Sequence, residues 1–478
     1  MKRLIGYALL LLILTITTAC GGDDDDYMTH APEAVFDAPI FEIEYIQIPI
    51  NPIIPPQSPP TAPARRPLPE TIANTGVLPS GVAFADIERL IDEFFAENEQ
   101  SMAAFSVAIF VGDYIILENS YGFVPSALPQ LNIRNNHDIM FSWGHITKTL
   151  VWVSAMQLYE RGLLDLDADI RQFLPDGFIS MLEGSGPITM LHLMSHSSGL
   201  ACDPAISFGF AASAHHPINQ SRWHHAADDF DFGRFVQDLG LDQVWAHAGN
   251  RFVYSNYNAV LAAYIIEQIT NMPFYQYVGA NIFEPLGMAH TALAPGHTDN
   301  ASVMAQWERQ RHTRFIIHPC MNVFRSRPSE ASRQYVASVY PSGNAVGTLA
   351  DLLTYAQAFL PDANGGSPLF QNPETLARML SISHMPSENS PARIRVRHGL
   401  FDESMIGLVD RQTPVIGHIS RAPHGIALMA IDIESGVGMV FATNVADEVL
   451  FYYEMLRLVF GALLQDYEIN IWEMRDHF

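Results

Sequence analysis

Residues 141–149 read Phe-Ser-Trp-Gly-His-Ile-Thr-Lys-Thr and lead into a segment with helical spacing of apolar residues. His145 and Lys148 stand three positions apart, so a helix that begins here carries both side chains on one face of its first turn. Lys148 and Lys2 are the only lysines in a chain that otherwise takes its positive charge from arginine. A buried lysine can lose its proton and act as a base, which arginine cannot do. Lys148 is therefore required either for chemistry or to hold buried polar groups together, and both alternatives stay open.

Both ends of the chain carry the same pair of elements around this segment. An amphipathic helix is predicted from Ala83, followed by a hairpin over residues 105–119 that turns at Gly112-Asp113. Near the C-terminus, a second hairpin over residues 425–443 precedes a final helix from about 448 to 464. This order predicts one sheet built by both chain ends around a helical middle.

Three more segments complete the pattern: Tyr254-Ser255-Asn256, residues 188–200, and Gly417-His418-Ile419-Ser420. Together with residues 141–149 and the downstream run 157–167, they resemble the serine β-lactamase and penicillin-binding-protein family, which includes class C β-lactamases, D-Ala-D-Ala carboxypeptidases and esterases. The resemblance implies an α/β plus α architecture, the β-lactamase/transpeptidase-like fold. In this fold an antiparallel sheet is flanked by helices and carries an inserted helical lobe.

The resemblance also assigns catalytic positions. His145 stands where the family has its nucleophilic serine, whose backbone N–H forms half of an oxyanion hole. Lys148 matches the lysine that helps to deprotonate that serine. Tyr254 matches the tyrosine that relays protons.

Substrate-binding positions follow in the same way. Asn256 matches the asparagine that binds the substrate amide and the lysine. His418 begins the strand motif, which in the family reads Lys-Thr-Gly or His-Thr/Ser-Gly, and Ser420 stands at its glycine. Arg421 would supply the second backbone N–H of the oxyanion hole if the strand keeps its register.

Two of the three motifs therefore depart from the family pattern. Loss of the nucleophile in a comparable serine enzyme lowers turnover by about a millionfold, so acyl-serine catalysis is expected to be absent. His145 has two interpretations: an imidazole that fills the old site, which we favour, or a neutral imidazole nucleophile beside Lys148. Ser142 is a poor substitute, because it lies before the helix and its hydroxyl should miss the hole.

The first residues read as an export signal. A basic start precedes an apolar run over residues 4–16 that is short for a membrane span. Residues 17–20, Thr-Thr-Ala-Cys, resemble a bacterial lipobox, which implies a lipoprotein signal peptide over residues 1–20, lipid attachment at Cys20 and a place on the outer face of a bacterial cell membrane. Thr17 departs from the usual aliphatic residue, so a transmembrane anchor and ordinary secretion remain alternatives.

Composition divides the rest of the chain. Residues 21–80 are rich in aspartate and proline and predict a disordered tether. The β-lactamase-related domain is predicted over residues 83–466, with a C-terminal tail over 467–478. The net charge of −25 argues against nucleic acid as a partner.

Metal and disulfide signals are weak. Cys202 and Cys320 could form one disulfide or remain thiols, and they lack zinc-motif spacing. The pairs His215-His216 and His224-His225 form no complete ligand pattern, so no metal or cofactor is predicted.

Three functions are therefore weighed. The first is an exported lipoprotein with impaired catalysis that binds a cell-wall peptide, a small acyl or amide ligand, or a protein partner in the old cleft. The second is an active hydrolase on D-amino-acid peptides, esters or β-lactams with non-standard machinery. The third is a metal-dependent enzyme that uses the histidine cluster.

Overall fold

The computed structural model describes residues 66–99, 104–124, 133–174, 182, 186–200, 247–250, 252–293, 340–384, 396–402, 415–422, 425–443 and 449–461. Its strands are β1 Arg66–Pro67, β2 Ala104–Val111, β3 Tyr114–Val124, β4 Ile133–Arg134, β5 Met140–Ser142, β6 Thr291–Leu293, β7 Ala345–Thr348, β8 Ile382–His384, β9 Val396–Arg397, β10 Phe401–Asp402, β11 Val415–Ala422, β12 Gly425–Asp432 and β13 Val437–Thr443. Its α-helices are α1 Glu70–Thr75, α2 Ile87–Asn98, α3 Thr147–Glu160, α4 Met190–Met194, α5 Asn256–Thr270, α6 Phe274–Val278, α7 Tyr340–Gly343, α8 Leu349–Gln357, α9 Pro373–Met379 and α10 Val449–Phe460. The two expected hairpins, β2–β3 and β12–β13, and the two expected terminal helices, α2 and α10, are confirmed.

The main sheet runs in the order β1-β3-β2-β13-β12-β11-β10-β9-β8, and β4 pairs with β3. Its centre joins the two chain ends, because β2 pairs with β13 and Val111 lies opposite Val437. The expected antiparallel arrangement holds except at one edge, where β1 runs parallel to β3. A small second sheet has the order β5-β7-β6.

Both faces of the main sheet are covered, as strand β13 shows. Val440 and Ala442 belong to the larger core, whereas Met439 and Phe441 belong to the smaller one. Successive strand residues point to opposite faces, so each face of β13 meets a different layer. The smaller core includes Ile87 and Ile91 of α2 and Met455, Leu456 and Val459 of α10, while the larger one includes α3, α5 and α8.

Helix α3 passes through the larger core and is buried from Thr147 to Leu158. A helix that is buried on all sides is central to a large core rather than a surface layer. Gly399, with φ of +87°, approaches this helix so closely that an added Cβ would lie 2.1 Å from the ring of Trp152. The packing around α3 thus leaves no space for even one additional methyl group at this position.

The described chain begins earlier than the predicted domain boundary. We expected the tether to reach residue 80 and the domain to begin at residue 83. Instead Arg66 and Pro67 pair with Tyr114 and Ile115 at the sheet edge, and Leu78 is buried. These elements are too short to give a periodic pattern, which is why the sequence did not reveal them.

The predicted signal peptide, Cys20, the proline-rich run and the tail over 467–478 lie outside the described residues. None of the helices within the described ranges has the length and apolarity needed to cross a bilayer.

Candidate active-site cleft

The start of α3 is fixed by contacts with β7. A 3-10 turn over Gly144–Ile146 precedes the helix, and Gly144 adopts a left-handed φ of +46°. Thr147 Oγ1 accepts a hydrogen bond from the N–H of Ala345 at 3.0 Å. The backbone N–H of Trp143 donates to the carbonyl of the same alanine at 2.9 Å. The turn that carries His145 is therefore held in one place.

Lys148 lies inside the protein with no exposed surface. Its Nζ donates to the carbonyl oxygen of Ser342 at 2.6 Å and lies 5.3 Å from the centroid of the Tyr254 ring. The sequence predicted the tyrosine as a neighbour but not the Ser342 carbonyl. The structure thus brings the lysine and tyrosine motifs together. Helix α7, which contains Ser342, contacts the same lysine.

Tyr254 is placed between two imidazoles. Its ring centroid lies 5.9 Å from that of His145 and 4.4 Å from that of His196. His196 Nδ1 accepts the backbone N–H of Ser255 at 3.2 Å and lies 3.2 Å from Asn258 Nδ2. An Nδ1 that accepts leaves the ring proton on Nε2.

His196 adopts a left-handed φ of +51°, a conformation that costs energy for a residue other than glycine. The motifs in the sequence identify the run over 188–200 but do not assign His196 to the site. Its position in the family's motif was the only signal, because the sequence alone does not show that it contacts Tyr254.

Ser420 makes the contact that most changes the site. Its Oγ accepts a hydrogen bond from the backbone N–H of His145 at 2.9 Å, and the side chain is 1% exposed. In the family pattern this N–H binds the substrate oxyanion. In this protein the hydroxyl of Ser420 accepts the hydrogen bond of that N–H instead.

The other strand positions lie as expected along β11. His418 is buried opposite Met429, and its Nδ1 lies 2.8 Å from the carbonyl oxygen of Ile419. Arg421 continues the same ladder opposite Ile426, so the strand keeps its register through this point. Asn256 is buried at the first residue of α5.

Burial keeps the histidines of this cleft neutral. It lowers the pKa of His145 and of His196 well below the usual value, and in both cases nearby Lys148 lowers the pKa further. Burial, followed by the charge of Lys148, lowers the pKa of His418 to about 3. Burial also raises the pKa of Tyr254, so its phenol stays protonated. Among the described side chains of the cleft, neutral rings therefore lie around the charged Lys148.

The alternative sites are described only in part. Ser142 Oγ accepts the N–H of Gly144 at 3.3 Å, one residue short of the N–H of His145. Among the described residues, no group of three or more His, Cys, Asp or Glu could hold a metal ion. The paired histidines between 215 and 225, Cys202 and Cys320 lie outside the described residues.

The fold and cleft together define a protein of the β-lactamase/transpeptidase-like class. The family model described as Beta-lactamase matches residues 87–462. The chain therefore belongs to the β-lactamase family, which confirms the resemblance found in its motifs.

Relatives and solved structures extend this result. The chain is 28% identical over 249 residues to esterase EstB of Burkholderia gladioli, covering 50% of this chain and 60% of the relative. It is 24% identical over 192 residues to a putative D-alanyl-D-alanine carboxypeptidase of Salmonella typhimurium, covering 38% of this chain and 41% of the relative. The matched part thus spans less than two thirds of either relative.

Two solved structures share the fold. The octameric penicillin-binding protein homologue from Pyrococcus abyssi has a TM-score of 0.59 at 18% identity, covering 82% of this chain and 80% of its own. The D-amino acid amidase from Ochrobactrum anthropi SV3, complexed with L-phenylalanine, has a TM-score of 0.57 at 19% identity, covering 82% of this chain and 100% of its own. At this identity the likeness concerns the fold alone.

Proposed function

We propose that this chain is a catalytically impaired member of the β-lactamase family that binds a peptide or amide ligand, such as a cell-wall peptide, in the old active-site cleft. The observation that carries the proposal is the hydrogen bond from the His145 N–H to Ser420 Oγ at 2.9 Å. This hydrogen bond uses the backbone N–H that catalysis needs for binding the oxyanion. It belongs to His145, the residue that replaces the family's nucleophile.

The remaining cleft is ordered, which supports ligand binding over decay of the site. Lys148 keeps a short hydrogen bond to Ser342, and Tyr254 keeps a ring contact with His196. Buried polar groups of this kind are costly when they are left unpaired, so their hydrogen bonds and ring contacts hold the cleft in one geometry that a ligand can meet. Relatives named carboxypeptidase and amidase favour a peptide or amide as the ligand.

Intact-mass spectrometry with a fluorescent penicillin tests the loss of catalysis. We expect no adduct and no release of p-nitrophenol from a p-nitrophenyl ester. Calorimetry with N-acetyl-D-alanyl-D-alanine tests binding, and we expect saturable heat without turnover. An adduct or steady hydrolysis that disappears in Lys148→Ala would contradict the proposal.

That contrary result would favour the second candidate, an active hydrolase with His145 as the nucleophile. The low pKa of His145 supports it, because a neutral imidazole can attack an acyl carbon. Hydrolysis that EDTA abolishes would instead indicate the metal-dependent enzyme.

We further propose that the protein is exported and anchored by lipid at Cys20 to the outer face of a bacterial membrane. The basic start, the apolar run and the lipobox-like Thr17-Thr18-Ala19-Cys20 support this. Metabolic labelling with a palmitate analogue should mark the parent chain and not Cys20→Ala. Equal labelling of both chains would rule out attachment at this cysteine.

A further inference from the structure

Two polar groups in the cleft, the Ser420 hydroxyl and the His145 ring, can each form a further hydrogen bond. Within the described ranges no partner for these bonds is present. Ser420 Oγ accepts from the His145 N–H, but its own hydroxyl hydrogen has no acceptor there although the side chain is buried. The ring centroid of His145 lies 5.9 Å from that of Tyr254 with the two planes tilted by 45°, and within the described ranges its two nitrogens make no hydrogen bond. His145 as a whole residue is partly exposed, so a ligand can approach this position.

We propose that Ser420 and His145 form a subsite for a neutral carboxamide, in which the Ser420 hydroxyl donates to the amide oxygen and a ring nitrogen of His145 accepts the amide N–H. This proposal rests on the proposed function and names the chemical group that the cleft takes. It differs from the family's oxyanion hole, because the donor is a side-chain hydroxyl and not the backbone.

One hydrogen bond joins the two residues that carry these groups. Ser420 Oγ lies 2.9 Å from the backbone nitrogen of the same residue that carries the imidazole. A primary carboxamide carries its acceptor oxygen and its donor nitrogen on the same carbon atom, and a neutral imidazole offers one acceptor nitrogen. A hydroxyl that already accepts a hydrogen bond is polarised to donate the next one.

A carboxylate or tetrahedral anion suits this subsite poorly. Anionic oxygens need several charge-assisted donors to offset the loss of water. The His145 N–H is engaged by Ser420, and the Lys148 ammonium is buried against the Ser342 carbonyl. Burial also keeps the pKa of His145 low, so its ring brings no positive charge.

A matched pair of probes tests the preference on the full-length chain. N-acetyl-D-phenylalanine amide and N-acetyl-D-phenylalanine differ only in a carboxamide against a carboxylate, and calorimetry at neutral pH gives the ratio of their affinities. We expect the amide to bind at least about tenfold more tightly. Ser420→Ala removes the donating hydroxyl and should weaken binding of the amide about fivefold, the effect of one neutral hydrogen bond.

Two further variants sharpen the test. Ser420→Gly exposes the His145 N–H and should shift the ratio toward the carboxylate. Ser106→Ala is the matched control, because Ser106 is also a buried strand serine, bonded to Ser120 Oγ at 2.9 Å away from the cleft elements. It should leave the ratio unchanged. Thermal melting establishes that each variant is folded.

Several outcomes would overturn the subsite. They are equal or tighter binding of the carboxylate by the parent chain, an unchanged ratio in folded Ser420 variants, or no binding of either probe at its solubility limit. The parent measurement alone decides if the variants do not fold. Binding of N-acetyl-D-alanyl-D-alanine without an adduct would still uphold the proposed function in these cases, whereas a penicillin adduct would remove that function independently.

Discussion

The double variant His145→Ser/Ser420→Gly should regain reactivity with a β-lactam that neither single variant shows in full. His145→Ser supplies the hydroxyl next to Lys148, but its backbone N–H still donates to Ser420 Oγ, as it does at 2.9 Å in the parent. Loss of one oxyanion-hole donor costs about 100- to 1,000-fold in rate. The double variant should therefore acylate faster than His145→Ser by about this factor, and Ser420→Gly alone should remain silent because it has no nucleophile.

The assay is the rate of labelling by a fluorescent penicillin, with peptide mapping to place the adduct on residue 145. His145→Ser/Ser106→Ala, which removes a buried serine elsewhere in the sheet, should label no faster than His145→Ser. Equal rates for His145→Ser and the double variant would show that Ser420 does not obstruct the hole. No labelling of the folded double variant would show that these two positions are not what silences the site.

The remaining predictions concern stability. Because the pKa of His418 is about 3 in the folded protein, the unfolded chain binds more protons below its ordinary value of 6.5, so stability falls on acidification. The loss assigned to this side chain is about 2 kcal/mol from about pH 7 to about pH 5, and His418→Gln should remove that share of the pH dependence in urea titrations. Gly399→Ala should lower the free energy of unfolding by at least about 2 kcal/mol, since the new Cβ meets the Trp152 ring and the backbone has positive φ; an unchanged urea midpoint would contradict this packing. His196→Ala should cost about 2–4 kcal/mol through lost packing and an unpaired N–H. His196→Asn, which tolerates the left-handed backbone, should cost about 1 kcal/mol less, and equal losses would argue against strain at this residue.

The sequence predicted those parts of the fold that depend on local pattern. The hairpin at Gly112-Asp113 and the helix that begins after His145 follow from alternation, turn residues and helical spacing, and both are present. The edge strand at Arg66–Pro67 could not be found in this way, because two residues form no period and proline suggested a spacer.

The same distinction between local pattern and tertiary packing applies to the residues of the site. The motifs placed His145, Lys148 and Tyr254 in one cleft, and the structure brings them together. The bond between His145 and Ser420 joins positions 275 residues apart, and the Ser342 carbonyl that receives Lys148 is a backbone atom with no side-chain signature. Contacts of this kind depend on tertiary packing, which no local pattern encodes.

The pairing of β2 with β13 has a consequence for how the protein is made. Val111 meets its partner Val437 only after nearly the whole domain has been synthesised. Until then one side of β2 lacks its neighbouring strand, and an unpaired apolar strand can associate with other chains. Closing so long a loop also slows folding. A truncation before residue 437 would therefore split the sheet at its centre instead of trimming its edge, so a shortened chain should aggregate or be degraded during synthesis.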